Sequence, residues 1–210
     1  MTSKPSSRRQ SSPTLILASA SPGRAELLRS SGFRFRQIPA GIPEPPRPPH
    51  LSIRTYLLNL ADDKARAIAQ HHPKAFVIGA DTVLEFDGAL IGKPAHSAAA
   101  FTMLRRLRAK PHKIWTAVCL IGPTPSDGSR RPIRRFVDTA QVTLRSWSDT
   151  QLCHYIRTAR PFFCAGAYAV QGEGLSLVQS IRGDIATVIG LPLDAVTRGL
   201  LELGYPGPTL

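Results

Sequence analysis

The stretch running VIGADTVLEF-DG-ALIGKP from Val77 to Pro94 constrains the fold more than any other part of the chain. Two β-forming runs flank Asp87-Gly88, a dipeptide suited to a type I′ turn because both central positions need positive φ. A hairpin is the reading. A two-residue loop pairs Phe86 with Ala89 and, continued outward, Thr82 with Lys93. The apolar run Ala75-Phe76-Val77-Ile78 reads as a buried strand, so the ionisable Asp81 just beyond it must sit at the strand's mouth or be compensated. Side chains alternate along a strand, and an unbroken ladder would therefore put Asp81 and Lys93 on opposite faces. A bulge or break near Gly92 is needed to bring them together. A salt bridge closing the hairpin mouth explains the pair equally well.

Upstream, residues 15–18 (Leu-Ile-Leu-Ala) form a short buried-type strand, followed by a helix with Ser21 as N-cap and Pro22 at its first position, stopping at Gly32. Helical period puts Arg24 at the start of the inward face, one turn before Leu27 and Leu28, where it wants an anion or a neighbouring carboxylate. A strand, a small-residue turn and a helix N-terminus make an anion site, although the spacing is not that of a P-loop. Residues 33–39 look like a second strand. Residues 43–49 are a proline-rich loop whose one acid is Glu44.

Residues 52–72 read as an amphipathic helix with Ile53, Leu57, Leu60, Ala61 and Ile68 inward. Lys64 falls within that stripe, either snorkelling or reaching a phosphate or carboxylate. After the hairpin, Ser97 is expected to cap a helix packed through Phe101, Met103, Leu104 and Leu107. Strands over 113–121 and 133–144, joined by a loop over 122–132, form a second hairpin. Ser148 and Gln151 match a capping box opening a helix to about Thr158. Residues 164–174, CAGAYAVQGEG, allow close backbone approach to a ligand, with Gln171 the one amide; a tight bend between strands explains them as well. A strand over 175–180 and a helix over 192–203, ending at Gly204, close the chain. Helices interspersed with hairpins predict a mixed α/β (α+β) sheet.

With 210 residues, 42% hydrophobic and 20% charged, the chain can bury one sizeable core, and no apolar run approaches a membrane span. Residues 1–13, serine-rich with Lys4, Arg8 and Arg9, are expected to be a disordered tail before a single domain over 14–210. Cys119, Cys153 and Cys164 share no disulfide or zinc spacing, and a reducing, cytoplasmic setting is expected. The formal net charge of +13 favours a polyanionic partner, either phosphates or nucleic acid. Its clusters, Arg105-Arg106-Arg108, Arg130-Arg131 and Arg134-Arg135, are dispersed and read as well as a solvated basic surface. No recognition helix or RNP-like strand accompanies them.

Five segments in order, LASASPGRAELL from Leu17, GADT from Gly79, GKP from Gly92, AGAYAVQG from Ala165 and VIGLPL from Val188, resemble the Maf family of nucleoside triphosphate pyrophosphatases over residues 14–204. The resemblance implies an elongated mixed sheet with a central cleft, similar to the inosine triphosphatase group, and often a homodimer. It implies a hydrolase of nucleotide metabolism that cleaves between the α and β phosphates with a divalent cation, Mg²⁺ or Mn²⁺. Whether ordinary or modified nucleotides are cleared stays open, and neither membrane nor nucleic acid is an expected partner. By the same resemblance Asp81 is the catalytic carboxylate, joined by Lys64, Lys93 and Glu44; Arg24 and Lys93 hold phosphates, and Thr82 and Gln171 lie near the base. On chemical grounds Asp81 activates water, directly or through a metal that Glu44 and Asp81 hold, and Lys93, Lys64 and Arg24, with the N–H groups after Ser19 and Ser21, hold the triphosphate.

Two positions depart from the family pattern. Gly23 stands where an arginine or, in a branch acting on 7-methyl-GTP, a tryptophan is found, and Cys164 resembles that branch. Thr82 and Gln171 instead resemble the branch acting on dTTP and UTP. The mixture predicts a broader or altered base preference. The competing reading from the charge is a nucleic-acid-binding or regulatory protein on the same fold without turnover.

Overall fold

The computed structural model describes residues 13–208; the expected tail over residues 1–13 lies almost wholly outside that range. In chain order the elements are β1 (Leu15–Leu17), α1 (Pro22–Ser30), β2 (Arg36–Gln37), α2 (Ile53–Ala69), β3 (Phe76–Phe86), β4 (Ala89–Ile91), α3 (Ser97–Leu107), β5 (Pro111–Ile121), β6 (Ile133–Leu144), α4 (Asp149–Ala159), β7 (Val178–Arg182), α5 (Ile185–Ile189) and α6 (Leu193–Glu202). Two 3₁₀ turns, Ala165–Ala167 and Gly172–Leu177, precede β7. One mixed sheet runs β2-β1-β3-β5-β6-β7, with β4 also on β3. β1 is parallel to β2 and β3, and the remaining pairings are antiparallel.

The sheet separates two layers. On one face Val77, Ala117, Cys119 and Ile121 pack under Leu57, Ala61, Ala65 and Ile68 of α2. On the other, Phe76, Ile78, Ala80, Val118 and Leu120 meet Ala25 and Leu28 of α1 and Val196 and Leu200 of α6. Toward the β3–β4 turn, Leu84, Phe86 and Val142 join Leu104 of α3 and Leu152, Tyr155 and Ile156 of α4.

The hairpin forms with Phe86 opposite Ala89, and both Asp87 (φ 51°) and Gly88 (φ 77°) take the positive φ that the turn requires. The ladder stops early. It ends with Leu84 opposite Ile91, so the expected pairing of Thr82 with Lys93 does not form, and Thr82 has its strand partner on the other side only, Thr116 of β5. The break falls at Gly92, whose carbonyl accepts from Gly166 N–H at 3.0 Å. On the same side of β3, pairing to β1 ends at Ile78. Residues 79–83 are thus left without a strand neighbour on that side, and a gap opens in the sheet between the end of β1 and the end of β4.

Other departures have local causes. The expected strand over 33–39 shrinks to Arg36–Gln37, because its only partner, β1, is three residues long. The cap of α3 is His96, not Ser97: the imidazole Nδ1 accepts from Ala99 N–H, which leaves Ser97 as the first helical residue. The expected strand over 175–180 begins only at Val178; before it the chain is wound into a 3₁₀ turn, with Gly174 so close to Ala169 that a Cβ would lie 2.1 Å from its carbonyl oxygen. α5 has no counterpart in the sequence reading. It is a five-residue helix capped by Asp184, whose side chain accepts from Ala186 N–H.

Gly79 sets the separation of α2 from the sheet. A Cβ there would lie 2.3 Å from the carbonyl oxygen of Ala61 and 2.7 Å from the nitrogen of Ala65. The expected outcome for Gly79→Ala is a stability loss of about 3 kcal/mol in urea unfolding, at the upper end of ordinary overpacking.

His112 is buried on β5, with Nε2 2.6 Å from the Tyr168 hydroxyl, and so ties the segment that leads to Gln171 onto the sheet. Burial pushes its pKa down to about 4 from 6.5, partly opposed by the Lys110 carbonyl. The folded state therefore resists protonation, so stability is full above pH 6.5 and falls between 6.5 and 4. A shift of that size is worth about 3 kcal/mol in total. Denaturant titrations across this window should show that decline in the wild type and a shallower one in His112→Gln.

Candidate active site

At the carboxyl end of β1 the chain leaves the sheet through Ser19 and Ser21 into α1, beside the stretch of β3 that has no strand neighbour on that side. A crevice there, where parallel β1 gives way to antiparallel β4, is where open α/β sheets bind ligands. Successive residues of β3 point to opposite faces, so Asp81 and Thr82 look into different layers. The gap lets the two layers meet.

On the α2 side, Lys64 Nζ lies 2.5 Å from Asp81 Oδ1 and 2.7 Å from Glu44 Oε1. Lys64 and Asp81 are buried, whereas the Glu44 side chain is about half exposed. Of the two readings of Lys64, snorkelling fails: α2 approaches β3 closely enough at Gly79 for the ammonium to turn inward. Glu44 is drawn in from its proline-rich loop by the same ammonium. Partial burial raises its pKa, but the hydrogen bond and charge of Lys64, with the charges of Lys93 and Arg24, more than offset this and leave it below the ordinary carboxylate value. Among the described residues, Asp81 Oδ2 and Glu44 Oε2 receive no protein hydrogen bond.

On the other side Arg24 is buried, and its guanidinium is laid out by three neutral oxygens. Nε donates to the Gly190 carbonyl at 2.8 Å, Nη1 to Ser19 Oγ at 3.0 Å and Nη2 to Thr82 Oγ1 at 2.9 Å. None of these partners is a carboxylate, so the alternative of a simple ion pair does not apply. Burial lowers the pKa of Arg24, while Asp81 and Glu44 favour its charge from beyond hydrogen-bonding range. Ser21 caps α1, its Oγ accepting from Arg24 N–H. Three of the five guanidinium N–H groups are engaged, leaving one on each terminal nitrogen for a ligand.

Lys93 follows the break at Gly92 on the far lip of the gap. It is exposed, and near enough that its charge lowers the pKa of Glu44 and opposes the burial-driven rise of Cys164. Gln171 is exposed, and its amide lies over Gly23: a Cβ on that glycine would sit 3.0 Å from Gln171 Oε1. Gly23, Gln37 and Gln171 border a groove of about 420 Å³ beside the start of α1. Glu44, Lys64 and Asp81 are thus joined on one face of β3 and Ser19, Arg24 and Thr82 on the other, while Lys93 is linked to the first group only through its charge and Gln171 lies with Gly23 at the groove beside α1.

The sequence reading missed Thr116, Thr187 and the Gly190 carbonyl. Thr116 Oγ1 lies 2.9 Å from Thr82 Oγ1 and donates to the Thr187 carbonyl at 2.8 Å. The available signal was a lone hydroxyl in the apolar run Ala117-Val118-Cys119-Leu120 and its flanks, since a buried polar group needs a partner. Gly190 has φ 116°, and a Cβ there would meet Thr82 Oγ1 at 2.8 Å and Arg24 Nε at 2.9 Å.

The arginine clusters are largely spent on structure. Arg131 donates to the carbonyls of Ala69, Ala75 and Gly122; Arg134 pairs with Glu202, Arg135 with Asp62, and Arg108 with Asp149. Among the described residues no group of three or more His, Cys, Asp or Glu side chains converges as a metal cage, and no helix is long and apolar enough to cross a membrane.

Comparison with known proteins adds a lineage. A protein described as dTTP/UTP pyrophosphatase from Koribacter versatilis is 41% identical over 90% of this chain and 94% of its own. One of the same description from Caldicellulosiruptor saccharolyticus is 35% identical over 91% and 95%. Among solved structures, the Staphylococcus aureus Ham1 protein aligns over 79% of each chain at 15% identity, with a TM-score of 0.43. The family described as Maf-like protein matches residues 14–203, and the chain belongs to that family.

Proposed function

We propose that the protein is a nucleoside triphosphate pyrophosphatase, hydrolysing the α–β phosphoanhydride to a nucleoside monophosphate and pyrophosphate. The observation that carries this reading is the gap beside β3, where a carboxylate with one uncommitted oxygen lies within range of the charge of a guanidinium with two uncommitted N–H groups. The activity for which the relatives are named supports it.

Attack on an α-phosphorus needs a water stripped of its proton and positive charge around the phosphate oxygens. Asp81 Oδ2 takes the proton, while Lys64 holds Oδ1 and fixes the carboxylate. Arg24, with its two remaining N–H groups, and Lys93, across the opening, hold the triphosphate between them. The amides at the start of α1 add partial positive charge to the same side. The donor set suits Mg²⁺ or Mn²⁺: such ions are bound through one or two carboxylates and the substrate's own phosphates, and with Asp81 Oδ2 given to the water, Glu44 Oε2 is the carboxylate oxygen that would hold one. A bound cation would neutralise charge on the phosphates.

For the base, we propose uracil and thymine nucleotides as the favoured class, held loosely. Thr82 and Gln171 are the side chains offered to it. Gly23 contributes neither ring nor charge, and its missing side chain is what leaves room for the Gln171 amide.

Pyrophosphate release from UTP and dTTP with added Mg²⁺ or Mn²⁺ tests the reading. The wild type is expected to release one pyrophosphate per monophosphate, and Asp81→Asn to lose on the order of 10² to 10³ in rate. Equal rates would reject Asp81 as the base; no turnover of any triphosphate would reject the function. Lys64→Gln, which leaves Asp81 without its buried cation, should also lower stability by about 3 kcal/mol in denaturant titration.

A further inference from the structure

Thr116 is fully buried in β5, and the direction of its hydroxyl proton can be read from its partners. A hydroxyl carries one proton, a carbonyl oxygen only accepts, and a guanidinium only donates. The Thr187 carbonyl, 2.8 Å from Thr116 Oγ1, therefore takes the Thr116 proton. The 2.9 Å contact between the Thr116 and Thr82 hydroxyls then has a single polarity, with Thr82 donating. Arg24 Nη2, at 2.9 Å, already occupies one lone pair of Thr82 Oγ1. Thr82 is left with its proton turned into the protein and one lone pair to offer a ligand.

The carbonyl at the head of this relay is itself fixed. Thr187 is fully buried, its hydroxyl donates to Asp138 Oδ2 at 2.5 Å, and its N–H bonds to the Asp184 carbonyl at 3.2 Å. The same short helix, α5, ends at Gly190, whose carbonyl holds Arg24 Nε. One element thus sets both the position of the arginine and, through Thr116, the polarity of Thr82.

We infer that Thr116 is a specificity-determining positioning residue: by absorbing the Thr82 proton it makes Thr82 a pure acceptor, so the site favours a nucleobase that offers a ring N–H, as uracil and thymine do at N3. Cytosine presents a bare N3 there, and two lone pairs would face each other with no proton free to turn between them. The inference rests on the site being a nucleoside triphosphate site, and it adds a residue that does not touch the substrate.

The test uses the full chain as wild type, Thr116→Val and Thr116→Ser. Binding of UTP and CTP is measured without divalent cation, and pyrophosphate release is measured with it on the same preparations. The wild type should prefer UTP roughly tenfold, the factor that one ordinary hydrogen bond carries. Valine at 116 frees the Thr82 proton, and the preference should shrink to about twofold; serine should restore it. If the valine variant fails to fold, the wild type alone decides with 3-methyl-UTP, which lacks the N3 proton and should bind at least tenfold more weakly than UTP. Turnover with an unchanged preference in Thr116→Val, or equal binding of UTP and 3-methyl-UTP, overturns the inference and leaves the pyrophosphatase reading standing. The expected binding preference without turnover overturns that reading alone, and binding of neither nucleotide overturns both.

Discussion

Everything at this site depends on how closely α2 lies against β3. The backbones meet at Gly79, where no side chain intervenes, and that approach lets a lysine four positions past Leu60 turn its ammonium under the sheet to Asp81. Two buried charges 2.5 Å apart cost desolvation on both sides, which their attraction offsets only when geometry is tight. Such a pair adds little net stability. What it does add is a fixed orientation for one carboxylate and a tether for Glu44, on a loop whose seven residues include five prolines and have no regular structure of their own.

Much of this was legible in the sequence because the decisive signals are local. Asp87-Gly88 announced its turn through backbone preference alone, and the capping box at Ser148 and Gln151 formed as read. Arg24, Lys64 and Asp81 stood out because each is a charge in an otherwise apolar periodic pattern, and the fold buries all three. What could not be read is what depends on partners far along the chain. The ladder past Leu84 ends where the Gly92 carbonyl turns to Gly166 N–H, a partner more than seventy positions along the chain and invisible from the hairpin itself. α5 is too short to show a period, and Thr116 gains meaning only when α5 closes over it. Where the anchoring atom is a main-chain carbonyl, as at Thr187 and Gly190, the residue type carries no sign of the role.

The excess positive charge takes on a different character once the partners are known. Arg131 fastens the end of α2 to the loop after β5 through backbone carbonyls, and Arg135 shares Asp62 with Arg66. These guanidiniums act as cross-links, for which a planar fork of five donors is better suited than an ammonium. Much of the clusters' charge is thus committed within the fold, while Arg24 and Lys93 are the cations that border the opening.

The missing stretch of strand beside β3 has a mechanical consequence. A sheet normally transmits rigidity through its ladder, and here the rungs on one side of β3 are interrupted where the reactive groups sit, so no strand pairing joins the segments bearing Ser19 and Lys93 directly. A nucleotide spanning the opening would act as the absent rung, bracing the molecule while it is bound and relaxing it once the product departs. Affinity and local stiffness would then rise and fall together, by the mass-action coupling that any ligand exerts on the state it prefers.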